Sequence, residues 1–211
     1  MENEIPVPPP RPNVSAKPTV EVISQPGPPV KAEVSSTSYT RPFVGAYVQY
    51  PSTLHSCCKN GDIETLQRIL QFEQYEIDGP DSFGYTPLHH AISNGFLEHV
   101  KLLLKFGANP NSPGMKSLTP LHCASYGGRY EVVKLLCPLV DVNQQDSNGK
   151  TSLHWAAERG YTKIVEELCQ QQETICDIKD GYGMTPLNYA KFWGFRDIVD
   201  VLEAHTETWS S

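Results

Sequence analysis

One phrase returns through this chain: Thr86-Pro87-Leu88-His89, Thr119-Pro120-Leu121-His122, Thr151-Ser152-Leu153-His154 and Thr185-Pro186-Leu187-Asn188, with the threonines 33, 32 and 34 residues apart. A fixed period of this size means that one small unit is built repeatedly and stacked on itself, because such a unit cannot bury its apolar face alone. Each residue of the phrase has a physical job. The threonine hydroxyl caps the first N–H groups of a helix. Proline at the first helical position gives up no intrahelical bond. Leucine then opens an apolar stripe. Gly95, Gly128, Gly160 and Gly194 each follow the threonine by nine residues, where a first helix must end in a left-handed residue. Second helices follow, with apolar residues at helical spacing: Val100-Leu103-Leu104, Val133-Leu136-Cys137 and Ile164-Val165-Leu168. Asp81, Asp146 and Asp180 open turns, each with a glycine three residues on (Gly84, Gly149, Gly183). A weaker copy, Ser52-Thr53-Leu54-His55, stands upstream, with Leu54 placed 34 residues before Leu88.

Period, phrase and offsets together resemble the ankyrin repeat, over roughly Tyr47 to His205. The resemblance implies an all-α fold: a solenoid of helix-turn-helix pairs with hairpin-like loops. Five repeats fall at about 47–80, 81–113, 114–145, 146–179 and 180–205, within a domain at 46–205 and ahead of a frayed tail at 206–211. It also implies that His55, His89, His122 and His154 tie neighbouring repeats together by bonds to backbone. End repeats of such arrays are atypical. The first lacks proline after its cap and carries Cys57-Cys58 where alanines are usual; the fifth has Asn188 in place of histidine. The third repeat departs twice, with Ser117 replacing the turn glycine and Pro138 ending the second helix where Gly107 does so one repeat earlier. The fourth carries a polar extension, Gln170-Gln171-Gln172-Glu173.

Residues 1–45 are different material. They hold ten of the 18 prolines and almost no periodic apolar pattern, so they cannot bury enough surface to offset the entropy of ordering. We expect a disordered proline-rich leader with stretches of polyproline II. Within it, Ile5-Pro6-Val7-Pro8-Pro9-Pro10-Arg11 resembles a class II SH3 ligand, in which Pro6 and Pro9 share one face and Arg11 reaches an acidic pocket. Pro26-Gly27-Pro28-Pro29-Val30-Lys31 is a weaker copy. The bland alternative is a stiff, soluble spacer. The aromatic stretch from Arg41 to Pro51 (Phe43, Tyr47, Tyr50) reads as a strip docking onto the first repeat.

The formal charge is −7, and the leader is balanced at four basic and four acidic side chains, so the negative charge belongs to the array. An acidic array repels phosphate backbones, which argues against nucleic acid as a partner. No apolar run approaches the ~20 residues needed to span a bilayer, and the N-terminus lacks a basic region followed by an apolar core. Six cysteines (57, 58, 123, 137, 169, 176) show no disulfide-framework spacing and read as small buried residues of an intracellular protein, cytoplasmic or nuclear. Motifs for phosphate loops, paired-cysteine zinc sites and nucleophile turns are missing. Cys123 beside His122 and Cys57 near His55 lie within repeat phrases, whose pattern already explains the histidines, and a metal at His89-His90 is an equally weak signal. The expectation is a non-enzymatic protein with no cofactor and no metal.

The resemblance implies a monomeric interaction scaffold or adaptor whose protein partner meets the concave face, with a possible SH3 contact through the leader. Alternatives are an inhibitor of a kinase or transcription factor, and a substrate-recruitment subunit of a larger enzyme complex. In this family the outward, variable positions are the hairpin tips and the ends of first helices. Here these are Phe83 and Tyr85, then Met115, Leu118 and Tyr126, then Lys150, Glu158 and Arg159, and finally Tyr182, Met184, Phe192 and Trp193. Aromatic, Met and Arg side chains are the types enriched at interfaces. Phe192 and Trp193 serve equally well as packing for the final cap. Leu135 … Asp141-Val142-Asn143 resembles the target of the asparaginyl hydroxylase that modifies ankyrin repeats, Asn143 being the acceptor. The plainer reading of Asn143 is loop stabilisation through side-chain to backbone bonds.

Overall fold

Helices in this chain are short, and that decides how the fold is held together. The computed structural model describes residues 53–72 and 75–207. The leader, with Pro6, Pro9 and Arg11, and the aromatic stretch as far as Pro51 lie outside the described residues. Among the described residues there are ten α-helices and no strand. They fall into five pairs: α1 (Leu54–Asn60) with α2 (Ile63–Phe72), α3 (Pro87–Asn94) with α4 (Leu97–Lys105), α5 (Pro120–Tyr126) with α6 (Tyr130–Leu136), α7 (Ser152–Arg159) with α8 (Thr162–Cys169), and α9 (Pro186–Trp193) with α10 (Arg196–Glu207). Isolated helices below ~12–15 residues are marginal in water, so these depend on stacking.

The stacking is regular. First helices α1, α3, α5, α7 and α9 pack in sequence, second helices α2, α4, α6, α8 and α10 form a parallel row, and each pair packs internally. The core lies between the rows. It comprises Leu88, Ala91 and Ile92 of α3 against Val100 and Leu103 of α4, and the same register repeats at Leu121 and Ala124 with Val133 and Leu136. It continues at Leu153, Ala156 and Ala157 with Ile164, Val165 and Leu168, and ends at Ala190 with Ile198 and Leu202. The expected stripes are therefore the buried ones, except that Leu104 is only half-buried.

Caps set the helix ends. Thr53, Thr119, Thr151 and Thr185 each accept a bond on the hydroxyl from a first-turn N–H. At the other end, Gly128 and Gly160 have φ of 70° and 79°, and an added Cβ would sit 2.8 Å from the rings of Tyr161 and Phe195 respectively. Glycine is required there twice over, for the left-handed turn and for a ring of the next repeat to lie against the backbone. The first repeat keeps the scheme with one residue fewer. Thr53 caps α1, Leu54 and Cys57 are buried, and Cys57 occupies the alanine position. Pro138 does stop α6, which passes into a 3-10 turn over Cys137–Leu139. At the far end α10 continues to Glu207, the second residue of the expected tail.

Candidate protein-binding face

Hairpins and first helices share one face of the stack, and a ladder of histidines holds it in shape. His55 Nε2 lies 3.1 Å from the Tyr85 carbonyl, His89 Nε2 3.0 Å from that of Leu118, His122 Nε2 3.1 Å from that of Lys150, and His154 Nε2 3.0 Å from that of Met184. In the last three rings Nδ1 accepts the N–H of the phrase threonine, from Thr86 at 3.3 Å, Thr119 at 3.1 Å and Thr151 at 3.0 Å. An accepting Nδ1 leaves the proton on Nε2, so each ring donates forward to the next repeat. Burial pushes His89 and His154 down to about 4 and lowers His122 as well, so all three are neutral near pH 7. In the last repeat Asn188 Oδ1 accepts the Thr185 N–H at 2.9 Å and so supplies the cap alone.

Each hairpin is organised by its aspartate. Asp81 Oδ1 accepts the N–H groups of Phe83 and Tyr85 at 2.9 and 3.0 Å, Asp146 those of Asn148 and Lys150 at 2.8 and 3.0 Å, and Asp180 those of Tyr182 and Met184 at 2.9 Å each. The second carboxylate oxygen takes a donor from the following first helix: His90 Nε2 at 2.8 Å, Trp155 Nε1 at 3.1 Å, and Tyr189 OH at 2.7 Å. Burial works against ionising Asp81. The His90 bond and the two N–H groups outweigh it and hold the carboxyl well below the usual range. His90 itself is shifted down, chiefly by burial, so the contact is a neutral imidazole donating to a carboxylate.

The third repeat lacks both halves of this device, having Gly114 where the aspartate stands and Cys123 where the donor stands. A Cβ on Gly114 would meet Tyr85 Cδ1 at 2.9 Å, so the Tyr85 ring occupies the space a carboxylate would need. Without the aspartate the turn tightens into a 3-10 turn, with Lys116 and Ser117 at φ 58° and 56°.

Of the twelve outward positions read from the sequence, four are exposed, five are half-buried and three are buried. Phe83 and Tyr182 at the hairpin tips are 66% and 56% exposed, Met115 and Phe192 are also exposed, and Leu118, Tyr126, Arg159 and Trp193 are half-buried. Tyr85 is half-buried against the His89 and His90 rings, and Tyr126 meets the Trp155 ring edge-on at 5.3 Å with the Arg159 guanidinium 4.6 Å from its centroid. Both tyrosines therefore carry a packing role that their repeat positions did not suggest. Phe192 and Trp193 pack on each other at 5.0 Å.

Three of the expected outward residues point inward. Met184 is fully buried, and Lys150 is 4% exposed. Lys150 Nζ bonds the Glu158 carboxylate at 2.5 Å, between the rings of Trp155 and Tyr189, whose centroids lie 4.4 and 4.3 Å away. Glu158, also expected to project, is buried with it. A paired charge flanked by two aromatic faces is stable in that place where a lone one would not be.

The role of His90, Trp155 and Tyr189 as donors to the hairpin aspartates is not read from the sequence. The available signal was that an aspartate five residues before the phrase threonine goes with a donor four residues after it, and that both vanish together in repeat three. Asn143 donates Nδ2 to the Glu173 carbonyl at 2.6 Å and accepts the Ile175 N–H at 2.8 Å, which joins the loops of repeats three and four. No thiol beside these histidines is primed for attack, since burial pushes Cys123 up to about 12. Among the described residues no group of His, Cys, Asp or Glu is placed to hold a metal, and no helix is long and apolar enough to cross a membrane.

Comparison with known proteins agrees with this architecture. A family model described as ankyrin repeats, in three copies, matches residues 54–146 and 138–208. The human transient receptor potential cation channel subfamily A member 1 is 31% identical over 152 residues, covering 71% of this chain and 14% of the channel. Human inversin is 29% identical over 175 residues, covering 66% of the chain and 16% of inversin. The Arabidopsis thaliana E3 ubiquitin-protein ligase KEG is 34% identical over 144 residues, covering 65% of the chain and 9% of the ligase. The chain thus spans only a small part of the length of each relative.

Proposed function

The chain belongs to the ankyrin-repeat family, and from that premise we propose that it is a non-enzymatic scaffold or adaptor that binds a protein partner on the face made by its hairpins and first helices. The observation that carries this reading is the row of exposed apolar side chains Phe83, Met115, Tyr182 and Phe192. Phe83 and Tyr182 stand on turns clamped by Asp81 and Asp180, Met115 stands on the third hairpin, and Phe192 stands near the end of α9. Rigid aromatic side chains lose little entropy on binding, which is why they recur at the centres of interfaces. Lys150, Glu158 and Met184 belong to the support beneath the face.

A photo-crosslinking residue placed at Phe83 or Tyr182 tests this reading. It is expected to trap a protein partner that the same probe at Phe72 or Phe106, on the side of the second helices, does not. Equal trapping from both sides would remove the assignment.

One finer reading rests on sequence alone. Pro6, Pro9 and Arg11 support an SH3 contact by the leader, and Arg11→Ala should weaken it more than Lys31→Ala. Recruitment of a substrate to a larger enzyme is favoured by one observation, the similarity to a protein named as a ubiquitin ligase. Oxygen addition at Asn143, measured by peptide mass spectrometry, would establish the hydroxylation reading. The bonds from Asn143 to Glu173 and Ile175 support its role as a loop staple.

A further inference from the structure

The fourth repeat alone carries the extension Gln170–Glu173, and its course brings two cysteines together. Cys169 is the last residue of α8, and the chain leaves the helix, turns through the glutamines and returns so that Cys176 Sγ lies 3.8 Å from Cys169 Sγ. The return path is pinned. Thr174 Oγ1 donates to the Leu168 carbonyl at 2.6 Å, while Glu173 and Ile175 are held by the Asn143 side chain. Cys176 is thereby fixed beside Cys169.

The two thiols are not equivalent. Cys169 is buried at 8% exposure, whereas Cys176 is partly exposed and so open to a small solute. Either sulfur can donate across this contact, and the bond shifts the more exposed Cys176 thiol down and the buried Cys169 thiol up. Cys58, Cys123 and Cys137 are all pushed up to about 12 by burial. One accessible thiol favoured as thiolate, with a second thiol at contact distance, is the arrangement that peroxides oxidise selectively.

We propose that Cys169 and Cys176 form a peroxide-responsive dithiol that closes reversibly to a disulfide, stapling the end of α8 to the loop that leads into the fifth hairpin. In the first step the Cys176 thiolate attacks one oxygen of hydrogen peroxide, the O–O bond breaks, and hydroxide leaves to take up a proton. The product is a sulfenic acid on Cys176. The Cys169 sulfur then attacks the Cys176 sulfur, the S–O bond breaks, and the oxygen departs as water with the Cys169 proton. Two thiols are oxidised and one peroxide is reduced to two waters. Closure from 3.8 Å to the ~2.05 Å of a disulfide bond asks for movement of the two side chains at the head of a loop.

The test treats the full-length chain with limiting hydrogen peroxide, blocks free thiols by alkylation, and maps peptides without reduction. The segment 164–179 is expected to lose two hydrogens and resist alkylation at both cysteines, reverting with dithiothreitol, while Cys57, Cys58, Cys123 and Cys137 still alkylate. Cys176→Ser should leave Cys169 a free thiol at the same dose. Cys169→Ser should let Cys176 be trapped by dimedone as a sulfenic acid. Oxidation of another cysteine before this pair, a Cys137–Cys169 link, or a segment that stays fully alkylated would overturn the proposal.

Discussion

At the scale of single residues, stability of this array hangs on polar groups that have left water. His122 bonds backbone at both ring nitrogens, to the Thr119 N–H and the Lys150 carbonyl. Replacing it by alanine leaves those partners buried and unmet, and we expect a loss of about 2 kcal/mol or more, measured by denaturant melting, with binding intact wherever the array stays folded. The same rings make the protein acid-sensitive. Their pKa values lie below those of the unfolded chain, so the unfolded state takes up protons first. Stability therefore has its full value above about pH 6.5 and falls as the pH drops toward 4, by up to about 1.4 kcal/mol per pH unit for each ring. Melting temperatures that stay level from pH 7 to 4.5 would contradict this. Lys150 and Glu158 form the other sensitive spot. Removing one partner strands a charge in a dry site, so Glu158→Gln should cost about 3 kcal/mol, whereas replacing both with apolar residues should cost much less.

At the scale of elements, the third hairpin is the weak link. It lacks the carboxylate that clamps the other three turns, and it holds Lys116 and Ser117 in the left-handed region. A side chain there costs about 1–2 kcal/mol, partly offset by the freedom glycine gains in the unfolded chain. Ser117→Gly should therefore stabilise the array by about 0.5–1 kcal/mol, read as a higher denaturation midpoint. Gly114→Asp alone should not, because the Tyr85 ring fills the space. This contrast also marks what the sequence discloses. Caps, stripes and turn glycines were legible because each is decided by a few neighbouring residues, and the departure at Ser117 was visible for the same reason. The burial of Lys150 and Met184 was not legible. Positions just before the phrase are half-buried at Tyr85 and Leu118 but fully covered at Lys150 and Met184. What covers Lys150 is Trp155 from its own first helix and Tyr189 from the next repeat. Exposure at such a site depends on what a residue about 39 positions further on happens to be.

At the scale of the whole stack, each repeat buries its apolar face only against its neighbours, so stability should fall in steps as repeats are removed from the fifth inward. Loss of α9 and α10 exposes the Met184 carbonyl that His154 bonds, along with Leu168 and Cys169 of α8. The first such step should therefore be large. The rigid support and the exposed side chains above it lead to one claim, that a partner is bound through the hairpin and first-helix face. The direct measurement is the affinity of the partner trapped at Phe83 or Tyr182 for two double variants with matched melting curves. Phe83→Ala with Tyr182→Ala should weaken binding by at least about 30-fold, the cost of one or more interface anchors of about 2 kcal/mol. Phe72→Ser with Phe106→Ser, on the opposite row, should leave it unchanged. Equal affinities for the two variants, or loss only in the second, would contradict the account.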